Sequence, residues 1–230
     1  GPPVLQVASN EADWLLNLNK DEKLTFFAEF NNQKSSASNI QTKVIGQDPT
    51  LEPIVIMTPK SGWWTCTSER GGGITIWLNA IRYFSENPPL RTIIFTANTG
   101  HELSHLGLDH FLENNPSLVQ DAYLWFHLGA NFAAKDGSIL LQTSTQDYMN
   151  LTMKQFKKEN IKGTQSWPIS ERPLGEARNI FDGGGEYISL LGTNPLFHNP
   201  DDLWPHSIDI EKLEKLNNAM LKIINDIANS

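Results

Sequence analysis

The sequence predicts an α/β fold, a three-layer sandwich in which a mixed, mostly parallel sheet carries helices on both faces. Three observations predict it. Short apolar runs bounded by turn residues read as buried strands, segments with apolar residues at helical spacing lie between them, and the two kinds alternate from residue 52 to residue 128. Such alternation implies right-handed crossovers, and therefore parallel strands with helices above and below.

Glu52–Thr58 is the first of these runs, and Pro59-Lys60-Ser61-Gly62 ends it. Gly71-Gly72-Gly73 opens a helix in which Ile74, Trp77, Leu78, Ile81 and Phe84 form the apolar face, and Pro88-Pro89 stops it. Thr92–Ala97 reads as the second strand, Glu102–Asn114 as a helix stopped ahead of Pro116, and Ala122–Leu128 as the third strand. Helical spacing returns from Met149 to Lys162. From Gly163 to Gly185 glycine, proline and polar residues dominate, and the segment reads as a long surface loop. The last helix carries the stripe Leu213, Leu216, Met220, Ile223, Ile224 and Ile227, with Asp209 or Ser207 as its cap.

At 230 residues with 39% hydrophobic content, the chain can bury one sizeable core, and residues 1–230 read as a single domain. Acidic residues outnumber basic ones 26 to 18, which argues against a surface built for nucleic-acid phosphates. No apolar run approaches the roughly 20 residues needed to span a bilayer. The lone cysteine, Cys66, excludes an internal disulfide and reads as a small buried residue; it does not identify a compartment. Gly1-Pro2-Pro3 reads as a protease-cleavage remnant, so the natural protein is expected to begin upstream.

In open α/β sheets ligands bind at the carboxyl ends of the strands. Here those ends carry Lys60 and Ser68, then His101, Glu102 and His105, and finally His127. His101-Glu102-Leu103-Ser104-His105 spells the pattern in which two histidines on one helical face bind zinc and the glutamate acts as base. The continuation to His110 is one residue short of the longer three-histidine motif. On a helix that deletion would turn the third histidine about 100° away, and the longer motif is rejected.

Ser38–Gly46, the strand ending at Thr58, the glycine-triplet helix, Arg91–Phe95 followed by Gly100-His101-Glu102-Leu103, and Phe197-His198-Asn199-Pro200-Asp201-Asp202 supply a wider pattern. In order and spacing they resemble the zinc-dependent aminopeptidase, glutamate carboxypeptidase and transferrin-receptor peptidase family. Residues 4–37 resemble the stretch that follows an inserted lid domain in longer members. The resemblance implies a two-zinc site, which can be carried over position by position. Thr58-Pro59-Lys60 stands where the family has His-x-Asp, and Ser68, followed by Glu69, stands for the metal-bridging aspartate. His101 takes the general-base position, Glu102 is a retained ligand, His127 replaces an aspartate ligand, and His198 is a retained ligand.

Without a bridging carboxylate, two divalent cations about 3.5–4 Å apart lose the charge that makes their separation tolerable. At most one zinc is expected, held by Glu102, His127 and His198, with His101 as catalytic base or a further ligand. Lys60 is expected to occupy the vacated space and pair with Glu69 or Glu102. Trp63 and Trp64 are expected to form an aromatic substrate wall, and Asp201 or Asp202 to cap the turn after His198 or orient it. Three functions follow. One is a one-zinc hydrolase acting on a peptide or small amide substrate. A second is a catalytically inactive, metal-free peptidase-like module that binds a protein partner or serves assembly. The third is a metalloprotease built on the His101–His105 motif.

Overall fold

The structure is a computed structural model that describes residues 7–27, 29, 31 and 33–230; Gly1-Pro2-Pro3 lie outside the described residues. The chain divides into two compact units, residues 1–36 and 37–230. In the first, a 3-10 turn at Ser9–Glu11 runs into the short helix α1 (Ala12–Leu16).

The second unit is the α/β body. Its elements are β1 (Ile40–Val44), β2 (Ile54–Pro59), α2 (Thr67–Glu86), β3 (Ile93–Asn98), a 3-10 turn (His101–Leu103), α3 (Leu106–Glu113), α4 (Leu118–Asp121), β4 (Leu124–Leu128), β5 (Ile139–Thr143), α5 (Gln146–Lys158), β6 (Thr164–Ser166), α6 (Ala177–Asp182), β7 (Tyr187–Gly192) and α7 (Ile210–Ala228). The strands form one mixed sheet in the order β1-β3-β2-β4-β7-β5-β6. Four of its pairings are parallel, and β1/β3 and β5/β7 are antiparallel. This is the sandwich expected from the alternation of elements.

Period-two alternation along the central strands feeds two cores. Ile54, Ile56, Phe95, Phe126 and Leu190 join Trp77 and Phe84 of α2, Phe156 of α5, and Leu216, Met220 and Ile224 of α7 on one face. Val55, Met57, Trp125 and Tyr187 turn to the other face, against Leu108 and Phe111 of α3 and Ile180 of α6. His127, two residues beyond Trp125, therefore points to the α3–α6 side.

Helix α2 starts four residues before the glycine triplet. Its buried face runs through Gly72, Gly73, Ile76, Trp77, Ala80 and Phe84, while Leu78, expected to be inside, is exposed. The glycines explain the shift. A Cβ on Gly73 would lie 2.5 Å from the Leu128 carbonyl oxygen and 2.6 Å from Thr58 Oγ1, so only glycine lets the helix rest on the ends of β2 and β4. The helix N-terminus is closed from far along the chain. Asp202 accepts from the Ser68 amide and hydroxyl at 2.8 and 2.7 Å and from the Glu69 amide at 3.0 Å. Asp202 thus caps α2, a role different from the one expected of it after His198.

Other boundaries depart from the sequence reading. The helix expected over Glu102–Asn114 is broken: after the 3-10 turn, Ser104 and His105 adopt left-handed φ values of 59° and 67°, and α3 starts only at Leu106. The presumed loop from Gly163 to Gly185 contains β6 and α6. Asp209 caps α7 by accepting from the Lys212 amide at 3.0 Å, and the Leu213–Ile227 stripe is buried as expected. Leu216 is fully buried, so Leu216→Ala should lower unfolding free energy in urea by about 2–5 kcal/mol.

Candidate functional site

Two polar clusters lie at the carboxyl ends of β2, β3 and β4. The first is centred on Arg70, in the first turn of α2. Its Nη2 lies 2.7 Å from Glu102 Oε1 and 2.8 Å from Glu69 Oε1, and its Nε donates to the Ser61 carbonyl at 2.5 Å. Ser61 Oγ donates to the other Glu102 oxygen at 3.0 Å and accepts from the His101 amide at 3.0 Å, tying the loop after β2 to the turn after β3. Glu69 and Arg70 are 1% and 3% exposed, making this a buried ion-pair cluster.

Its two carboxylates respond differently to burial. Desolvation pushes the Glu69 carboxyl up, against the charges of Arg70 and His198, and neither oxygen has a well-aligned hydrogen bond. At Glu102 desolvation also opposes ionisation, but hydrogen bonds from Arg70, its own backbone and Ser61 outweigh it and hold the carboxyl below its ordinary value. His198 stands at the rim, its Nε2 3.5 Å from Glu69 Oε1, its ring stacked on Phe197 and edge-on to Trp63.

The second cluster is centred on Glu176, just ahead of α6. His101 Nδ1 donates to Glu176 Oε1 at 2.7 Å, and His127 Nε2 donates to Oε2 at 2.9 Å. The support behind His127 follows from sheet register, which places Gln142, Ser189 and His127 side by side on β5, β7 and β4. Ser189 Oγ accepts from Gln142 Nε2 at 2.9 Å and donates to His127 Nδ1 at 2.8 Å. Gln142 Oε1 also accepts from the Leu174 amide at 2.7 Å, fixing the segment that carries Glu176. Between them Gly175 takes φ 63°, and a Cβ there would meet His127 Cε1 at 2.8 Å.

His105 packs beside His101, ring centroids 5.0 Å apart. Its Nδ1 donates to Asn179 Oδ1 at 2.7 Å, while Asn179 Nδ2 donates to Asp109 at 2.8 Å. Arg178 can only donate, so His105 Nε2 accepts from it at 3.3 Å. Burial pushes the His105 imidazole below its ordinary value, favouring the neutral ring. Among the described residues, His101, His105 and Glu176 are the one group of three whose ligand atoms lie within 4.8 Å of one another.

Glu102 and His198 both meet the Glu69–Arg70 pair, Glu102 through Arg70 and His198 through Glu69, whereas His101 and His127 share Glu176. The cation beside Glu69 and Glu102 comes from Arg70 rather than Lys60, which makes no salt bridge among the described residues. Thr58 donates to the Leu128 carbonyl at 2.8 Å and Ser68 to Asp202 at 2.7 Å, so two replaced ligand positions have structural partners. Trp63 and Trp64 are 51% and 64% exposed with ring centroids 6.3 Å apart. The sequence reading missed Arg70 and Glu176. Arg70 was open to discovery as a cation two residues after Ser68, the replaced ligand position, and next to Glu69, but Glu176 lies in a stretch without periodicity.

Burial opposes ionisation of Glu176, yet hydrogen bonds and charge from His101 and His127 hold it well below its ordinary value of 4.5. The unfolded chain then binds that proton more tightly than the folded one. The stability contributed by ionised Glu176 is complete above about pH 4.5 and is lost as pH falls through the folded-state value. Glu176→Gln should therefore unfold at lower urea than wild type at neutral pH, and the two should converge in strong acid. An equal gap at both pH values would show that the carboxylate charge contributes nothing.

No protein-family model matches the chain, and no curated protein matches it in sequence. Solved structures do match in fold. The zinc aminopeptidase BSAP from Bacillus subtilis aligns at a TM-score of 0.71 and 15% identity, covering 84% of this chain and 50% of that one. An aminopeptidase from Aneurinibacillus sp. strain AM-1 gives 0.68 and 14%, covering 83% and 48%. LapB from Legionella pneumophila gives 0.66 and 18%, covering 84% and 56%. The chain spans about half the length of these proteins. With the mixed sheet flanked by helices, these alignments establish that the chain has the zinc-aminopeptidase fold.

Proposed function

We propose that this chain is a peptidase-like binding module in which a buried arginine balances the charges that metals balance in related enzymes. Its ligand is a peptide-like segment received at the exposed Trp63–Trp64 wall. The observation that carries the reading is the Arg70 guanidinium, 2.7 Å from Glu102 and 2.8 Å from Glu69.

The alternative is a hydrolase with one zinc on Glu102, His127 and His198, in which the metal would acidify a bound water and His101 would accept the proton. The donor set does not fit zinc at that place. Both Glu102 oxygens are engaged by Arg70 and Ser61, and both His127 nitrogens by Glu176 and Ser189. A zinc there would also lie next to a guanidinium that stays protonated at any working pH. The metalloprotease reading of His101–His105 loses its helix, since the chain between them is a 3-10 turn ending in left-handed backbone.

Assayed on aminoacyl nitroanilides with and without zinc, the protein should show no turnover above buffer. Zinc-dependent hydrolysis that disappears in His101→Ala would overturn the reading. Arg70→Ala leaves two carboxylates facing each other without a cation and should cost about 3–5 kcal/mol. If the guanidinium balances their charge, added zinc should raise the melting temperature of this variant well beyond any shift in wild type. An equal shift in both would show that Arg70 is not standing in for a metal.

A further inference from the structure

We propose that His101, His105 and Glu176 form a binding site for one divalent transition-metal ion of the zinc class, separate from the Arg70 cluster. Neither His105 nor Glu176 stands at a position where the family resemblance expects a ligand, so this would be a second, independently built site. One ligand atom from each of the three lies within 4.8 Å of the others. Ligand bonds of about 2.0–2.2 Å separate tetrahedral donors by roughly 3.3–3.6 Å, so an ion would replace the 2.7 Å hydrogen bond between His101 and Glu176, with that pair opening and the wider-spaced donors drawing in. His101, 23% exposed, is the member free to move, and its exposure leaves the fourth position open to water.

The surroundings of the three residues carry the proposal beyond proximity. Metal ligands are oriented by partners bound to their other atoms. Glu176 turns Oε1 toward His101, 2.7 Å away, because His127 holds Oε2 at 2.9 Å, and His127 is fixed in turn by Ser189 and Gln142. His105 offers Nε2 because Asn179 holds Nδ1 at 2.7 Å, and Asn179 is fixed by Asp109. Two imidazoles and one carboxylate suit zinc-like ions better than calcium or magnesium, which prefer all-oxygen sites. Two contacts oppose binding: the proton on His101 Nδ1 that holds Glu176 Oε1 at 2.7 Å, which the ion must displace, and the Arg178 guanidinium, which meets His105 Nε2 at 3.3 Å and must swing aside. The site differs from Glu102 in that the group holding the carboxylate oxygen is itself a ligand, and the guanidinium makes no ion pair with that carboxylate among the described residues.

The test is titration of the full chain with Co2+ in metal-free buffer, followed by visible absorption and then displacement with Zn2+. One equivalent should bind, and His101→Ala and His105→Ala should abolish it. Asn179→Ala should weaken binding roughly 10–100-fold, and Arg178→Ala should tighten it. If His105→Ala fails to fold by circular dichroism, the opposite responses of the Asn179 and Arg178 variants decide. Absence of Co2+ and Zn2+ binding in wild type overturns the proposal. So does binding that survives in His105→Ala and is lost in His198→Ala, which would put the metal beside Arg70. Hydrolysis is not read, so the outcome is separate from that of the peptidase assay.

Discussion

The strand ends are organised around the positive charge of Arg70. A cation in the first turn of a helix opposes the helix dipole and is unfavourable there on its own. It is tolerable because Glu69, Glu102 and the capping carboxylate of Asp202 surround the same end of α2. The dependence runs both ways. Without the guanidinium, Glu69 and Glu102 would be buried like charges, and one would have to take up a proton to remain inside. Ser61 adds direction to this charge balance by touching the Arg70, Glu102 and His101 segments at once.

The second organising feature is the sheet itself. Register between β4, β7 and β5 sets His127, Ser189 and Gln142 in one row, and the row ends on Glu176 and the Leu174 backbone. A hydrogen-bonded row across three strands orients the loop it meets, because strand pairing fixes the positions of its members. His101 and His105 rest against this fixed carboxylate from the turn after β3.

Much of this was legible in the sequence. Ile54–Thr58, Ile93–Ala97 and the Leu213–Ile227 stripe bury where their periodicity placed them, because a run of apolar residues has few other places to go. The glycine triplet marked a helix correctly, but its apolar face was misjudged. Helical spacing alone counts Leu78 as inside, whereas the close approach at Gly73 rotates the buried face. The break at Ser104-His105 was hidden, since neither residue is a helix breaker and no glycine marks the left-handed turn there. The residues facing His101 and His127 were equally hidden. Glu176 follows a glycine in a segment of no period, and it is anchored beside His127 by the Leu174 amide bound to Gln142, a residue that strand pairing sets in the His127 row.

Asp202 closes the first turn of α2 by binding Ser68, 134 residues earlier in the chain. During synthesis, then, α2 can form and pack before its cap exists, and the ion-pair cluster beside it must wait with the Thr67, Ser68 and Glu69 amides without their Asp202 acceptors. At about 5–20 residues per second, that interval lasts on the order of ten seconds. Throughout it Glu69 and Arg70 lie at an open helix end. A contact of such long sequence separation makes assembly of the strand-end region a late event in folding, and a nascent chain released before residue 202 would carry the sheet's central strands without a finished site.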